Sequence, residues 1–374
     1  MIKPEIARAI IKKQGTPIYI YQKEKIIQNY KNIKKAFTYP HKKILYAVKC
    51  NPNEEILKTI KRAGGYAHIN TLKELYLVKK IGFKDNDVSF TSVGLDKKSL
   101  KILIKNKIQL NLDSIEEIEK FCKINPKGKF GIRVRPHGNF ILPEGHTNFS
   151  KDTGIGIDSK DFDKIKTLCK KYKCKINGIH GHLASNILTT KPLVKFSDYL
   201  FEQAKKFQDI EYINFGGGFG VPNEKNKPFD FKTIGNYYSL LTKKLSVYHS
   251  KKIILKIEPG RSLVADAGDL YTTITNVKKV GNKKQIAIDA GFAEFPRPRI
   301  YGAYHEITLL EKKGRKETYD IRSNTAFTSD FLGLNRKLPS AKEGDILVIK
   351  KTGAYGRAMA SGFPGKDLPK EVFI

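Results

Sequence analysis

The sequence predicts an α/β protein: a (β/α)₈ barrel of the TIM type followed by a second, mostly β domain. Three observations carry that reading. Between residues 43 and 257, eight short apolar segments recur, most of them followed by an amphipathic helical stretch, which is the rhythm of βα units. The segments are apolar on both faces, as parallel strands covered on both sides must be. Beyond about residue 265 the alternation stops, and strand-like segments succeed one another with few helices. A doubly wound open sheet would share the first two features but does not require eight strands.

Taken in order, an opening helix is broken by Gly15-Thr16-Pro17, and a strand at 18–21 and a helix at 23–37 follow. Barrel strands are expected at 43–49, 66–70, 88–92, 108–113, 130–136, 176–183, 212–215 and 253–257. Helices are expected from Asn53 to Gly64-Gly65, at 71–82, 96–106 and 114–124, through 206, and around 232–248. Asn53 is a good N-cap, and Glu54 and Glu55 in the first turn suit the helix dipole. The stretch after residue 136 reads as long and irregular through Gly156. Further strands are expected at 270–277, 285–290, 317–321 and 345–351, and the strand at 18–21 can join them. The expected division is therefore a barrel over 22–265, flanked by a β-rich domain from 1–21 and 266–374.

Composition narrows the function classes. No apolar run is long enough to span a bilayer, and the short patch Ala9-Ile10-Ile11 after Glu5 does not read as a secretory signal. The four cysteines (Cys50, Cys122, Cys169, Cys174) show neither metal-ligand spacing nor a disulfide framework, so a reduced, cytoplasmic setting without a metal is expected. The net charge of +33 comes almost entirely from lysines spread along helices and loops. A nucleic-acid binder would cluster its cations on one element with aromatics between them, so neither nucleic acid nor membrane is the expected partner. Against that lysine background arginine is informative, because its planar fork has no lysine substitute. Arg133, Arg261, Arg297 and Arg299 all fall inside motifs.

Functional residues of such a barrel lie at the C-terminal ends of the strands. Those positions hold Lys49, His68, Thr91, Asp113, Arg133, His182, Gly216-Gly217-Gly218 and Glu258-Pro259-Gly260-Arg261. A lysine at the end of an apolar strand can simply snorkel to water, a triple glycine is usually a tight turn, and a strand-end histidine is usually structural. Their combination at successive strand ends carries more weight. The glycines and Gly260-Arg261 end the last two strands and make a phosphate site of bare N–H groups backed by a guanidinium. A desolvated lysine is a usable amine nucleophile. A phosphate site beside it points to pyridoxal 5′-phosphate, with Glu258 against the pyridine nitrogen and His182 over the ring face.

These residues also carry a resemblance. Tyr46-Ala47-Val48-Lys49, His180-Gly181-His182-Leu183-Ala184-Ser185, Phe215 to Gly220 and Glu258-Pro259-Gly260-Arg261 resemble the fold-type III pyridoxal-phosphate decarboxylases, whose barrel is that of alanine racemase. Asp289-Ala290-Gly291, the run Arg297 to His305 and Gly353-Ala354-Tyr355-Gly356 are similar to the diaminopimelate branch in particular. The resemblance spans residues 16 to 363. It implies that Lys49 holds the cofactor covalently, that His182 stacks on it, and that Glu258 pairs with its nitrogen. Ser185, Gly216, Gly217, Gly218, Gly260, Arg261 and Tyr355 would hold the phosphate, and Arg297 and Tyr301 the carboxylate end of an amino-acid substrate. It also implies a homodimer whose active sites are each completed by the partner's β domain.

The sequence departs from the family at one loop. A Cys-acid-x-x-Asp run is usual there, the cysteine implicated in reprotonation and the acid in binding the substrate's distal amine; the matching residues are Ala326-Phe327-Thr328-Ser329-Asp330. His68 also falls where an aspartate is usual, and Ala184 where the motif has glycine. Three readings stay open: a decarboxylase with an atypical substrate, a cofactor-binding regulatory homologue, and an amino-acid racemase. Glu258 speaks against the racemase, which needs a weaker electron sink, and the intact cofactor set speaks against the regulator. Thr328, Ser329, Tyr355 and His182 are candidate proton donors.

Overall fold

The computed structural model describes residues 2–138, 140, 154–223 and 227–374, so the irregular stretch expected up to Gly156 lies mostly outside the described residues. The chain divides into two compact units, one of residues 27–220 and 228–260, the other of residues 1–26, 221–227 and 261–374.

Strand β1 (Ile18–Tyr21) belongs to the second unit. The first unit is a closed barrel of eight parallel strands: β2 (Lys42–Ala47), β3 (Tyr66–Ile69), β4 (Val88–Thr91), β5 (Gln109–Leu112), β6 (Lys129–Arg133), β7 (Lys175–His180), β8 (Tyr212–Asn214) and β9 (Ile254–Ile257). Closure comes from β2, which pairs with β3 through Leu45 and Tyr66 and with β9 through Lys42 and Leu255. Helices return the chain between strands. That over Glu54–Arg62 is capped by the Asn53 side chain, which accepts from the Glu55 N–H at 2.9 Å. Thr71 caps the next helix with a reciprocal box through Glu74, and Gly82 ends it in the left-handed conformation. One helix, Phe162–Tyr172, was not among the sequence expectations.

Inside the barrel the packing is partly polar. The Tyr212 ring lies across the interior, donating to Asn111 Oδ1 at 2.6 Å. A Cβ at Gly131 or Gly178 would sit 1.9 Å from that ring or its hydroxyl, so two neighbouring strands need glycine to admit it. Lys256 Nζ stands 3.6 Å from the centre of the same ring. Burial, seconded by Lys43, pushes the Lys256 pKa down to about 7, with Glu258 and Glu211 opposing. Its pKa is lower folded than unfolded, so between about pH 7 and 10.5 the unfolded chain binds more protons and stability rises with pH. From pH 7 to 8.5 the wild type should gain up to about 2 kcal/mol in urea unfolding relative to Lys256→Met, which lacks this contribution. Parallel curves for the two proteins would refute the assignment.

The second unit is an eight-stranded sheet. Its strands after β1 are β10 (Gly268–Val280), β11 (Lys283–Ile288), β12 (Ile307–Leu309), β13 (Lys316–Ser323), β14 (Phe331–Pro339), β15 (Ile346–Ile349) and β16 (Lys370–Phe373). The order is β12-β15-β10-β11-β13-β14, and β1 lies antiparallel to β10 and parallel to β16. The strand at 18–21 thus joins the β-rich unit, as its sequence allowed. Asp289 secures the centre: its carboxylate accepts from Thr16 Oγ1 at 2.5 Å, the Thr273 N–H at 3.0 Å and the Thr272 hydroxyl.

Candidate active site

In the barrel unit the expected residues gather at the C-terminal rim. Strand β2 stops at Ala47, and Val48–Cys50 form a 3₁₀ turn, so Lys49 stands just past the strand rather than on it. The turn is held by Gly260, where a Cβ would lie 3.1 Å from that of Ala47 and 3.0 Å from that of Cys50. Solvent reaches Lys49, yet the protein around it desolvates the amine and lowers its pKa. Arg133 adds to that shift, while Glu258, Glu74 and Cys50 oppose it.

Glu258 is the electrostatic centre of the rim. Its side chain is buried, and three strands supply its partners: Asn214 Nδ2 donates to Oε1 at 2.7 Å, His68 Nδ1 lies 3.0 Å from Oε1, and His180 Nε2 lies 3.2 Å from Oε2. Burial alone would raise the pKa, but the imidazoles of His68 and His180 outweigh it and hold the carboxyl well below the usual range. Burial keeps His180 neutral, so that pair is a hydrogen bond to a carboxylate rather than a full ion pair. The two imidazoles lie nearly parallel, 6.2 Å apart. His68, where the family resemblance leads one to expect an aspartate, is therefore part of the cluster that fixes Glu258.

His182 lies two residues beyond the end of β7, and its Nδ1 accepts from the Gly217 N–H at 3.4 Å. Burial first, then Arg133 and Lys49, push its pKa well below the ordinary value, leaving a neutral ring. Gly216 and Gly218 have positive φ of 67° and 94°. A Cβ at Gly216, Gly217 or Gly218 would meet the carbonyl oxygens of Gly181, Glu258 or Ala184 at 2.3, 2.1 and 2.1 Å, so neighbouring loops press directly on this turn. The Gly218 N–H donates to nothing among the described residues. Ser185 is half-buried in the same loop as His182. Arg133 Nη1 lies 3.7 Å from Asp113 Oδ1, which also accepts from the Gly156 N–H at 3.1 Å. Thr91 is buried at the end of β4, where its hydroxyl accepts from Asn111 at 2.8 Å.

These residues fit pyridoxal 5′-phosphate. A reachable amine of lowered pKa, a buried carboxylate held anionic, a neutral imidazole and an unused backbone N–H in a glycine turn match its aldehyde, ring nitrogen, ring face and phosphate. Asn214 was missed by sequence reasoning, although it orders both halves of this set by accepting the Gly216 N–H at 3.0 Å and donating to Glu258. Its one signal is an amide ending an apolar strand just before three glycines.

The β-rich unit holds the remaining expected residues. Arg261 lies 5.0 Å from the centre of the Tyr355 ring, and Tyr355 has a positive φ of 57°, an uncommon conformation for an aromatic residue. Arg297 and Tyr301 sit on the short helix Arg297–Tyr301, but only Tyr301 is exposed. Arg297 is buried, with Nη1 3.1 Å from His305 Nε2. His305 Nδ1 donates to the Lys350 carbonyl at 2.8 Å, which leaves Nε2 bare to accept from Arg297. Burial, with Arg297 next, pushes the His305 pKa down to about 3. In the departing loop, Asp330 Oδ1 accepts from the Phe292 N–H at 2.8 Å, and a Cβ at Gly291 would lie 2.4 Å from Oδ2. Phe327 is exposed between Phe292 and Phe363, with ring centres 6.4 Å from each.

Comparison with known proteins agrees with this geometry. Residues 23–265 match the family model described as "Pyridoxal-dependent decarboxylase, pyridoxal binding domain". The chain is similar to a diaminopimelate decarboxylase of Aquifex aeolicus, with 34% identity over 96% of this chain and 87% of that protein. One of Buchnera aphidicola is 32% identical over 98% of this chain and 90% of that one. Among solved structures, diaminopimelate decarboxylase from Helicobacter pylori complexed with L-lysine superposes with a TM-score of 0.90 at 26% identity, covering 98% of this chain and 94% of that one.

Proposed function

This chain belongs to the pyridoxal-dependent decarboxylase family, and from that premise we propose that it removes carbon dioxide from an α-amino acid whose far end lacks a free ammonium group. It is a carboxy-lyase whose cofactor is pyridoxal 5′-phosphate. Bound there, pyridoxal phosphate supplies the sink for the electron pair left behind when carbon dioxide departs.

The chain's own residues divide the remaining work. Lys49 would hold the cofactor through an amine whose lowered pKa keeps more of it unprotonated at neutral pH. Glu258, fixed by Asn214, His68 and His180, would keep a proton on the ring nitrogen. His182 would cover one ring face as a neutral imidazole. Ser185, Gly216, Gly217, Gly218 and Gly260 would hold the phosphate from the barrel unit. Arg261 and Tyr355 carry the same expectation from family resemblance, as do Arg297 and Tyr301 for a substrate carboxylate. A homodimer with shared active sites is part of the same reading, and sedimentation of the purified protein tests it.

The substrate reading rests on Phe327. Phenylalanine offers an ammonium group neither a hydrogen-bond acceptor nor a negative charge, and a buried charge without either costs several kcal/mol by order of magnitude. A second reading, meso-diaminopimelate itself, is favoured by the names of the relatives. Carbon dioxide release from meso-diaminopimelate and from 2-aminopimelate, which lacks only the distal amine, separates the two. We expect 2-aminopimelate to be turned over about 10²-fold more efficiently, with the preference moving toward meso-diaminopimelate in Ala326→Cys/Phe327→Glu. Faster turnover of meso-diaminopimelate by the unaltered enzyme would decide for the second reading.

A further inference from the structure

We infer that the β-rich unit carries a binding site for a multiply charged oxyanion, a phosphate or polycarboxylate, centred on Arg336 and Arg299. This goes beyond the decarboxylase reading, although Thr328 and Ser329, candidate proton donors in that reading, line the same cavity.

The two arginines line one cavity of about 610 Å³ with Tyr304, Thr328 and Ser329, and no carboxylate among the described residues lines it. The lysine bias of the chain does not account for this pair, because only eleven of the 70 basic residues are arginine. Arg336 is oriented by its surroundings: its guanidinium lies 4.1 Å from the centre of the Tyr304 ring. Its Nε is buried and has no hydrogen-bond partner among the described residues. That position depends on Gly333, where a Cβ would come 2.5 Å from Nε. A guanidinium held over the Tyr304 ring, without an ion-pair partner among the described residues and lining an acid-free cavity, suits the two-pronged geometry of a phosphate or carboxylate oxygen pair.

An adjoining cavity of about 700 Å³ shares Tyr304, Leu334 and Arg336 and adds Lys313, Lys316 and Lys337. None of these three lysines has an ion pair among the described residues. The one carboxylate lining that cavity, Glu306, lies 3.8 Å from Lys350. Arg336 thus stands between Arg299 on one side and three lysines without ion pairs among the described residues on the other, which suits a ligand of two or more negative charges.

The test is calorimetric titration of the enzyme saturated with pyridoxal phosphate, so that its phosphate cradle is filled. Pyrophosphate and citrate are the probes, at ionic strength held constant with potassium chloride. We expect saturable binding of at least one, weakened about 10-fold or more by Arg336→Lys, which keeps the charge and loses the fork. Gly333→Ala should weaken it by displacing Nε, and Arg315→Gln, which removes an arginine lining neither cavity, should leave it unchanged. If Arg336→Lys melts early, Arg299→Gln at an exposed position carries the same expectation. Binding of pyrophosphate alone assigns a phosphorylated ligand, and of citrate alone a polycarboxylate. Absence of saturable binding with both probes, or equal weakening by Arg315→Gln, overturns the proposal.

Discussion

Lys49→Ala should lower carbon dioxide release by about 10³-fold or more and abolish the visible absorbance band of the lysine-bound cofactor. Lys256, the barrel lysine whose pKa is pushed down to about 7, is stacked on Tyr212. Because solvent reaches Lys49, removing its side chain should leave the thermal midpoint nearly unchanged. Lys49→Arg retains a cation in the same turn and should be as inactive as the alanine variant, which separates the amine's role from its charge. A band of normal intensity in either variant would remove Lys49 from the centre of the site.

Glu258→Gln should reduce the rate by about 10² to 10³-fold while leaving the protein able to take up its cofactor. Glutamine preserves the shape but brings an N–H₂ group among donors that now all point at a carboxylate. Asn214 would lose an acceptor or His180 would have to change tautomer, so the cluster across β3, β7, β8 and the end of β9 would rearrange. The loss should fall on kcat rather than KM, since the carboxylate matters most when electrons enter the ring. A variant with unchanged kcat would mean that Glu258 serves only to order the barrel rim.

Much of this site was legible in the sequence because barrels place function where strands end. Lys49 and Glu258 could be read from their positions after apolar runs, without knowing which strands are neighbours. The cluster around Glu258 could not, because His68, His180 and Asn214 meet it only through the register of a closed sheet. Strand ends were read too far: the apolar run continues to Val48 and Leu183, but pairing stops at Ala47 and His180 as the chain turns to present Lys49 and His182. In the β-rich unit, Phe331–Pro339 escaped notice because Gly333, Asn335 and two basic residues break its alternation. Asn335 has a positive φ of 53°, and the pairing of this strand with Lys316–Ser323 shifts register twice. Composition cannot reveal a strand whose regularity is interrupted by its own bulges.

The position of β1 has a consequence for how the protein is made. Ile-Tyr-Ile-Tyr is entirely buried and hydrogen-bonded on both edges, yet Tyr21 and its partner Glu371 on β16 are 350 residues apart. At about 5–20 residues per second, a ribosome needs roughly 20–70 seconds to cover that interval. Throughout it, the β16 edge of this aromatic, β-branched strand stays open on the nascent chain, and both edges are open until Gly268–Tyr271 of β10 emerge, while every residue of the barrel emerges earlier. Lys12, Lys13 and Lys23 flank the segment and act as charged gatekeepers against its pairing with other chains during that wait.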